Sequence, residues 1–306
     1  MNASKTQNKD KRPMRRWAAL AVAVLIASMS GAMSPAAAQA GAPDPARALK
    51  QQFRNEHGVR ISETNRFFYG KKSTISGSGI RISGHLQLAP SGPVAADFTW
   101  WDLSRPKGKG LPSKKSDPYR VIRVGKNVYD DATRYPGPVP DGKKWVRFPN
   151  EHRGRMNRDM ARDASLQPID MYDLSMMKAV LKRSASKAVS GGFLYRGTVS
   201  YQELRRISKS APIAWTSGKP IGKKSKGKVS WQLWTGRDGL PKRLITTDTA
   251  GGGKEPLVKR SDTRYTDWGC HLVITTPPAD EVIDEGDLLE YVRMQNTSAP
   301  TDAKNT

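Results

Sequence analysis

The chain has 306 residues, with 52 Lys+Arg against 28 Asp+Glu, a formal charge of +24 and a single cysteine. One cysteine rules out an internal disulfide, so stability has to come from an apolar core, and the length allows one large or two small domains. The charge favours anionic partners such as lipid headgroups, phosphate-bearing wall polymers or nucleic acid, without choosing among them.

Residues 1–40 read as a secretory signal peptide. Lys9, Lys11, Arg12, Arg15 and Arg16 lead into the apolar run WAALAVAVLIASMSGAM, which is too short to span a bilayer comfortably. Ala38-Gln39-Ala40 has the small-x-small form that a signal peptidase cuts, so cleavage near Ala40 is expected. Arg15-Arg16 opens the twin-arginine alternative, but the following residues fit that motif poorly, and the general route is expected. Cleavage removes six basic residues and one acidic residue, so the mature chain stays strongly basic, at about +19. No cysteine lies near the cleavage site to carry a lipid, so the expected product is secreted or extracytoplasmic and not tethered.

Asp44 followed by Pro45 has the form of a helix N-cap with proline in the first turn, opening PARALKQQFRNEH with Leu49 and Phe53 about one turn apart. From Val59 to Phe148 the apolar residues alternate. In GIRISGHLQLAPSG, Ile80, Ile82, Leu86 and Leu88 share one face while Arg81, Ser83, His85 and Gln87 share the other, the pattern of a half-buried antiparallel strand. PVAADFTWWDL, YRVIRVGKNVYDD and KKWVRF follow at hairpin spacing.

The period then changes. PIDMYDLSMMKAVLKRSA predicts a helix with Ile169, Leu174, Met177 and Leu181 near one stripe and Met171 and Met176 beside it. GGFLYRGTVS returns to strand, and Ser200 to Glu203 forms a capping box that opens a short helix with Leu204 and Ile207. In KVSWQLWTGRDGLPKRLITTDT, Val229, Trp231 and Leu233 alternate with Ser230, Gln232 and Trp234 before a turn from Gly236 to Gly239. RYTDWG completes the sheet, and a polar tail from Thr297 is expected to be disordered. The division is therefore 1–40 signal peptide, 41–296 one domain, 297–306 tail. The fold class is α+β: one curved antiparallel sheet with helices laid over it.

Catalytic signatures are weak. Cys270 and His271 are neighbours on a predicted strand, where adjacent side chains point to opposite faces, so they cannot meet as a thiol and its base. His57, His85 and His152 have no ligand-like spacing to Cys270, and GGGKEP at 251–256 lacks the Lys-Ser/Thr of a phosphate loop. Asp280, Glu281, Asp284, Glu285 and Asp287 read as an acidic surface patch. No enzyme activity, cofactor or metal is expected. The aromatic and basic mixture would also suit single-stranded nucleic acid, but a secreted chain seldom needs that, and no nucleic-acid partner is expected.

GHLQLAPSGPVAADF, YRVIRVGKNVYDD, PDGKKWVRF, GGFLYRGTVSYQEL, VSWQLWTGRDGLPKRLIT and RYTDWG with VITTPPADEVID stand in an order that resembles secreted LolA-like proteins of high-GC Gram-positive bacteria, related to the LppX/LprG envelope lipoproteins. The resemblance runs over roughly residues 45 to 290. It implies a strongly curved, incomplete antiparallel β-barrel whose open face is covered by helices, enclosing an apolar cavity for acyl chains. The Met-rich central helix would then be a lid, because methionine adapts to variable apolar shapes. Phe67, Ile82, Leu86, Phe98, Trp231 and Leu233 are the candidate walls, with Met171, Leu174, Met177 and Leu181 on the lid.

The expected function is non-enzymatic binding of a lipid or lipidated molecule at the cell envelope by a monomer, with an anionic membrane or cell-wall surface as a further partner. The alternative is an envelope sensor, or a module that uses the same fold to bind cell wall or another anionic polymer. Two departures from the related lipoproteins stand out: the lipid-bearing cysteine is absent, and Cys270 stands after Trp268-Gly269 where relatives tend to have proline.

Overall fold

The computed structural model describes residues 42–69, 78–103, 117–135, 137–149, 165–208, 213–214, 219–220, 224–250 and 257–297. The segment read as a signal peptide, His152, residues 251–256 and residues 298–306 fall outside these residues.

Long alternating segments become one sheet of 12 strands. In chain order these are β1 (His57–Tyr69), β2 (Ser78–Ala89), β3 (Gly92–Asp102), β4 (Tyr119–Val124), β5 (Asn127–Asp131), β6 (Trp145–Pro149), β7 (Ala185–Val189) and β8 (Gly192–Ser200). A separate two-stranded ribbon, β9 (Ile213–Ala214) and β10 (Lys219–Pro220), precedes β11 (Gly227–Gly236), β12 (Pro241–Ala250), β13 (Leu257–His271) and β14 (Val282–Asp284). The sheet order is β14-β6-β5-β4-β3-β2-β1-β13-β12-β11-β8-β7, antiparallel throughout except for the short β14–β6 pair. The sheet is curved and unclosed, with β7 and β14 at its two edges, so the architecture is the curved, incomplete antiparallel barrel expected from the sequence. Its two meanders are joined where the first long strand, β1, pairs with the last, β13.

Close approach of strands has a sequence cause at Gly84. It sits opposite Ile61 and Phe98, and a Cβ there would stand 2.0 Å from the Asp97 carbonyl oxygen. Only glycine fits, which explains the gap between Ile82 and Leu86 in an otherwise regular apolar face.

Among the described residues four helices complete the fold: α1 (Pro45–Gln52), α2 (Leu174–Leu181), α3 (Tyr201–Ile207) and α4 (Glu285–Thr297). Asp44 caps α1 by accepting from the Ala46 N–H at 2.9 Å, and Ser200 caps α3 by accepting from the Glu203 N–H at 3.2 Å. Gly239 has φ +79° in the β11–β12 turn, as its sequence position requires. Leu49 of α1, Met176, Met177 and Val180 of α2, and Tyr201 and Leu204 of α3 are buried in one core with the inner face of the sheet.

Two expectations need correction. The helix expected across 168–185 is shorter: Asp173 accepts from the Ser175 and Met176 N–H groups and starts α2 only at Leu174, so Ile169 and Met171 lie in the non-helical segment before it. The residues just after it form the edge strand β7. At the C-terminal end the acidic residues lie at the surface as expected, and two of them also pair with basic residues beside β6. Lys144 pairs with Glu281, Arg147 pairs with Asp284, and the Lys143 ammonium donates to the Asp280 carbonyl at 2.8 Å. These contacts set β14 beside β6 and lead into α4, whose Leu288 is fully buried against Val146 and Ala132 in a second, smaller core. Thr297 is the last residue of that helix and not the start of a tail.

Candidate functional site

The hollow of the sheet is lined by alternate residues, and the strand registers place them in rows. One row runs Tyr195, Leu233, Leu244, Thr263, Glu63, Ile82, Trp100. The next runs Trp231, Thr246, Ser261, Asn65, Ile80, and the third Val199, Val229, Asp248, Lys259, Phe67. The flanks are apolar. The centre, on β1, β13 and β12, is polar: Glu63, Asn65, Lys259, Ser261, Thr263, Thr246 and Asp248 are all buried.

Of the sequence-derived candidates, Ile82, Leu86, Phe98, Met171, Met177, Trp231 and Leu233 fall in the single large core, and Leu174 and Leu181 pack half-buried against it. Phe67 is half-buried at the end of the polar stripe, in the row of Lys259 and Asp248, and stands outside that core. The walls and the segment over them are therefore brought together with the exception of Phe67.

What fills the hollow is the strap 165–173 leading into α2. Its backbone is held by side chains of the polar stripe. The Leu166 N–H donates to Glu63 Oε1 at 2.7 Å, the Ser165 hydroxyl donates to Glu63 Oε2, and the Lys259 ammonium donates to the Leu166 carbonyl. Gln167 extends the grip: its Nε2 donates to Thr263 Oγ1 at 2.7 Å and to the Leu244 carbonyl at 3.2 Å, while its Oε1 accepts from Thr246 Oγ1 at 2.6 Å. Glu63 also accepts from Asn65 Nδ2 at 2.7 Å and from Thr263 Oγ1 at 2.8 Å, and Ser261 Oγ donates to Asn65 Oδ1 at 2.5 Å. A carboxylate so supplied with donors is compatible with burial, because hydrogen bonds offset the loss of water.

Burial acts in opposite directions on the two neighbouring charges. It lowers the Lys259 pKa to about 8, against the attraction of Asp248 and Glu63. It raises the Asp248 pKa, against the hydrogen bond donated by the Tyr201 hydroxyl and the nearby Lys259 charge. Tyr172 and Tyr265, both buried against the strap side of the core, are pushed well above the usual phenol range by desolvation. Sequence reading missed this stripe because Glu63, Asn65, Lys259, Ser261 and Thr263 look like an ordinary polar face. The available signal was register: they share strand parity with the buried Ile61 and Tyr265.

Cys270 and His271 stay apart in the ladder, opposite Gly58 and His57 respectively. The His271 Nδ1 lies 3.5 Å from a Glu56 carboxylate oxygen on the exposed side. Just before them β13 bulges: Asp267 has φ +57° and Gly269 φ +76°. Trp268 turns back there to stack on Tyr265 at 5.9 Å and to donate its indole N–H to the Pro241 carbonyl at 2.7 Å. Trp268 thus fixes the end of the β12–β13 pair.

No protein-family model matches the sequence, and no curated protein gives a significant match. Among solved structures the chain is similar to one in the MucA/MucB complex of Pseudomonas aeruginosa, at 13% identity and a TM-score of 0.28. That match covers 78% of this chain and spans 60% of the other. It is similar to a DUF1329 family protein from Desulfovibrio piger, at 12% identity over 75% of this chain and 92% of that one, with a TM-score of 0.26. A β-barrel-like DUF1849 protein from Brucella abortus matches at 12% identity over 70% of this chain and 100% of that one, with a TM-score of 0.20. Any function has to be read from the side chains of this chain itself.

Proposed function

We propose that the protein is an extracytoplasmic, non-enzymatic carrier that holds a lipid or lipidated molecule against the inner face of its curved sheet. One observation supports this above the others: the hollow is filled by a strap and a Met-rich helix and not by a second sheet. A packed second sheet would be integral to the fold. The strap and α2 meet the sheet through the two bonds to the Leu166 backbone, the side-chain bonds of Ser165 and Gln167, and Met171, Met176 and Met177, whose flexible thioethers suit a surface that repacks. When that lid lifts, Ile82, Leu86 and Phe98 on one flank and Trp231 and Leu233 on the other offer apolar walls for an acyl chain, with the polar stripe of β1, β13 and β12 between them.

The energetics favour such enclosure, since each methylene withdrawn from water gains about 0.8 kcal/mol and a long chain cannot cross an aqueous space unprotected. The test is purification of the secreted chain, organic extraction and mass spectrometry, with uptake of a fluorescent fatty acid measured in parallel. Bound acyl species, or saturable uptake reduced at least tenfold by Leu86→Trp, is the expected result. Repeated preparations free of acyl ligand, together with no uptake, would sink the proposal.

A further inference from the structure

The outer face of the same sheet carries a different kind of surface. On the strands β2, β1, β13, β12, β11 and β8 the outward positions alternate with the buried ones, and they hold Arg81, Arg66, Arg260, Arg264, Lys228 and Arg196, all exposed. Arg66 stands directly opposite Arg260. Two like charges facing each other across a ladder destabilise the pair, so this arrangement has no structural benefit to explain it. Between the cations lie small hydroxyl residues, Ser62, Thr64, Thr247, Ser230 and Thr198, that leave the surface open.

Carboxylates are scarce there. Among the described residues, Asp262 is the one acid at these outward positions, and it is held by Arg243 through two hydrogen bonds of 2.8 and 2.5 Å. Asp267 at the bulge faces Arg60 at 3.3 Å. With strands about 4.8 Å apart, six strands present a basic field about 24 Å across.

We infer that this outer face docks a linear phosphodiester polyanion. Arginine suits phosphate because its planar guanidinium offers paired donors, and rows of hydroxyls add neutral donors between the charges. Two observations favour a polymer over a bilayer. The face bears no exposed large apolar side chain that would enter a membrane; among the described residues those are Val273, Leu289 and Met294, all elsewhere. It also lies opposite the strap and α2, so a chain anchored by it keeps the hollow free. The inference does not rest on the cargo proposal.

Binding of synthetic poly(glycerol phosphate) to the full secreted chain, followed by fluorescence anisotropy across a salt series, tests it. Arg66→Ser/Arg260→Ser is expected to weaken binding at least tenfold at about 0.15 M salt, with a salt slope shallower by about 1.4 if each lost contact removes about 0.7. Lys182→Gln/Arg205→Gln, which removes the same charge from exposed residues on the helix side, is expected to change binding less than twofold. Thermal melts of both variants confirm that each is folded. Equal weakening by the two pairs, or no binding to the polymer, overturns the inference. So does binding to phosphatidylglycerol vesicles in preference to the polymer with the same sensitivity to Arg66→Ser/Arg260→Ser, which assigns the face to a lipid surface.

Discussion

Glu63 and Lys259 grip one residue of the strap from its two ends: the carboxylate accepts from the Leu166 N–H, and the ammonium donates to the Leu166 carbonyl. The two groups stand on adjacent strands, four residues apart in register along β13, and both are fully buried. A segment without regular secondary structure is thus held in the hollow through its backbone. Such a clamp lets the strap be fixed without any shape-specific side chain, and it places opposite charges where each limits the other's desolvation cost.

Replacing Lys259 tests whether the clamp holds the fold together. Lys259→Met leaves the Leu166 carbonyl unpaired and Asp248 and Glu63 without their cation, an uncompensated buried charge that costs roughly 3–5 kcal/mol. Urea unfolding is expected to show a loss of that size. In the Lys259→Met background, Asp248→Asn should cost less than it does alone, because the two residues are coupled; a double-mutant cycle reads the coupling, at about 0.5–3 kcal/mol.

The same lysine gives a pH signature. Its pKa is about 8 when folded and about 10.4 when unfolded, so between those values the unfolded chain binds more protons and stability rises with pH. The contribution is fully present above the unfolded value and is lost as pH falls through about 8. Relative to Lys259→Met, the native chain is expected to gain about 3 kcal/mol or somewhat less between pH 8 and pH 10.5, measured as the difference between paired urea titrations. A difference that stays flat, or falls, over that range contradicts the assignment.

Periodicity carried most of the fold. Ile82, Leu86, Trp231 and Leu233 alternate cleanly, and each is buried in the large core. The caps at Asp44 and Ser200 depend on one local side-chain bond apiece, which is why they were legible. The polar stripe was not, because apart from Asn65 the partners of Glu63 lie 102 to 200 residues away in sequence, and no local pattern encodes those contacts. The acidic run before α4 is surface charge as read, but the partner of Asp284 was hidden for the same reason: Arg147, distant in sequence, is brought alongside by the β14–β6 pairing. Strap and helix were merged because Ile169 and Met171 fit an apolar stripe, whereas Asp170 and Asp173 set turns: Asp170 accepts from the Tyr172 N–H at 2.8 Å, and Asp173 caps the helix that follows.

Curvature itself can be tested at Gly84. A methyl group there meets the Asp97 carbonyl oxygen and the Phe98 Cα, both backbone atoms that no rotamer change can move aside. Gly84→Ala is expected to destabilise by about 1–3 kcal/mol or more through forced separation of β2 from β3. Amide exchange along the β2–β3 ladder should accelerate more than exchange in β11–β12. Uniform acceleration across the sheet would instead mean that Gly84 sets global stability and not local closeness.

Release of the strap should respond to the carboxylate that holds it. Glu63→Gln keeps the shape of the side chain but removes the charge that strengthens the bonds from Leu166 and Ser165, and a hydrogen bond to a charged group contributes about 1.5–3 kcal/mol. Exchange of the Leu166 amide is therefore expected to rise roughly tenfold or more, since about 1.4 kcal/mol is a tenfold change. Exchange in β11 and β12, which the strap does not clamp through Glu63, should change much less. If the strap is the lid, the rate of fluorescent fatty-acid uptake rises with Leu166 exchange while the amount bound at saturation stays the same. Faster exchange with no change in uptake separates the two: the clamp is then a structural staple, and a ligand enters by another route.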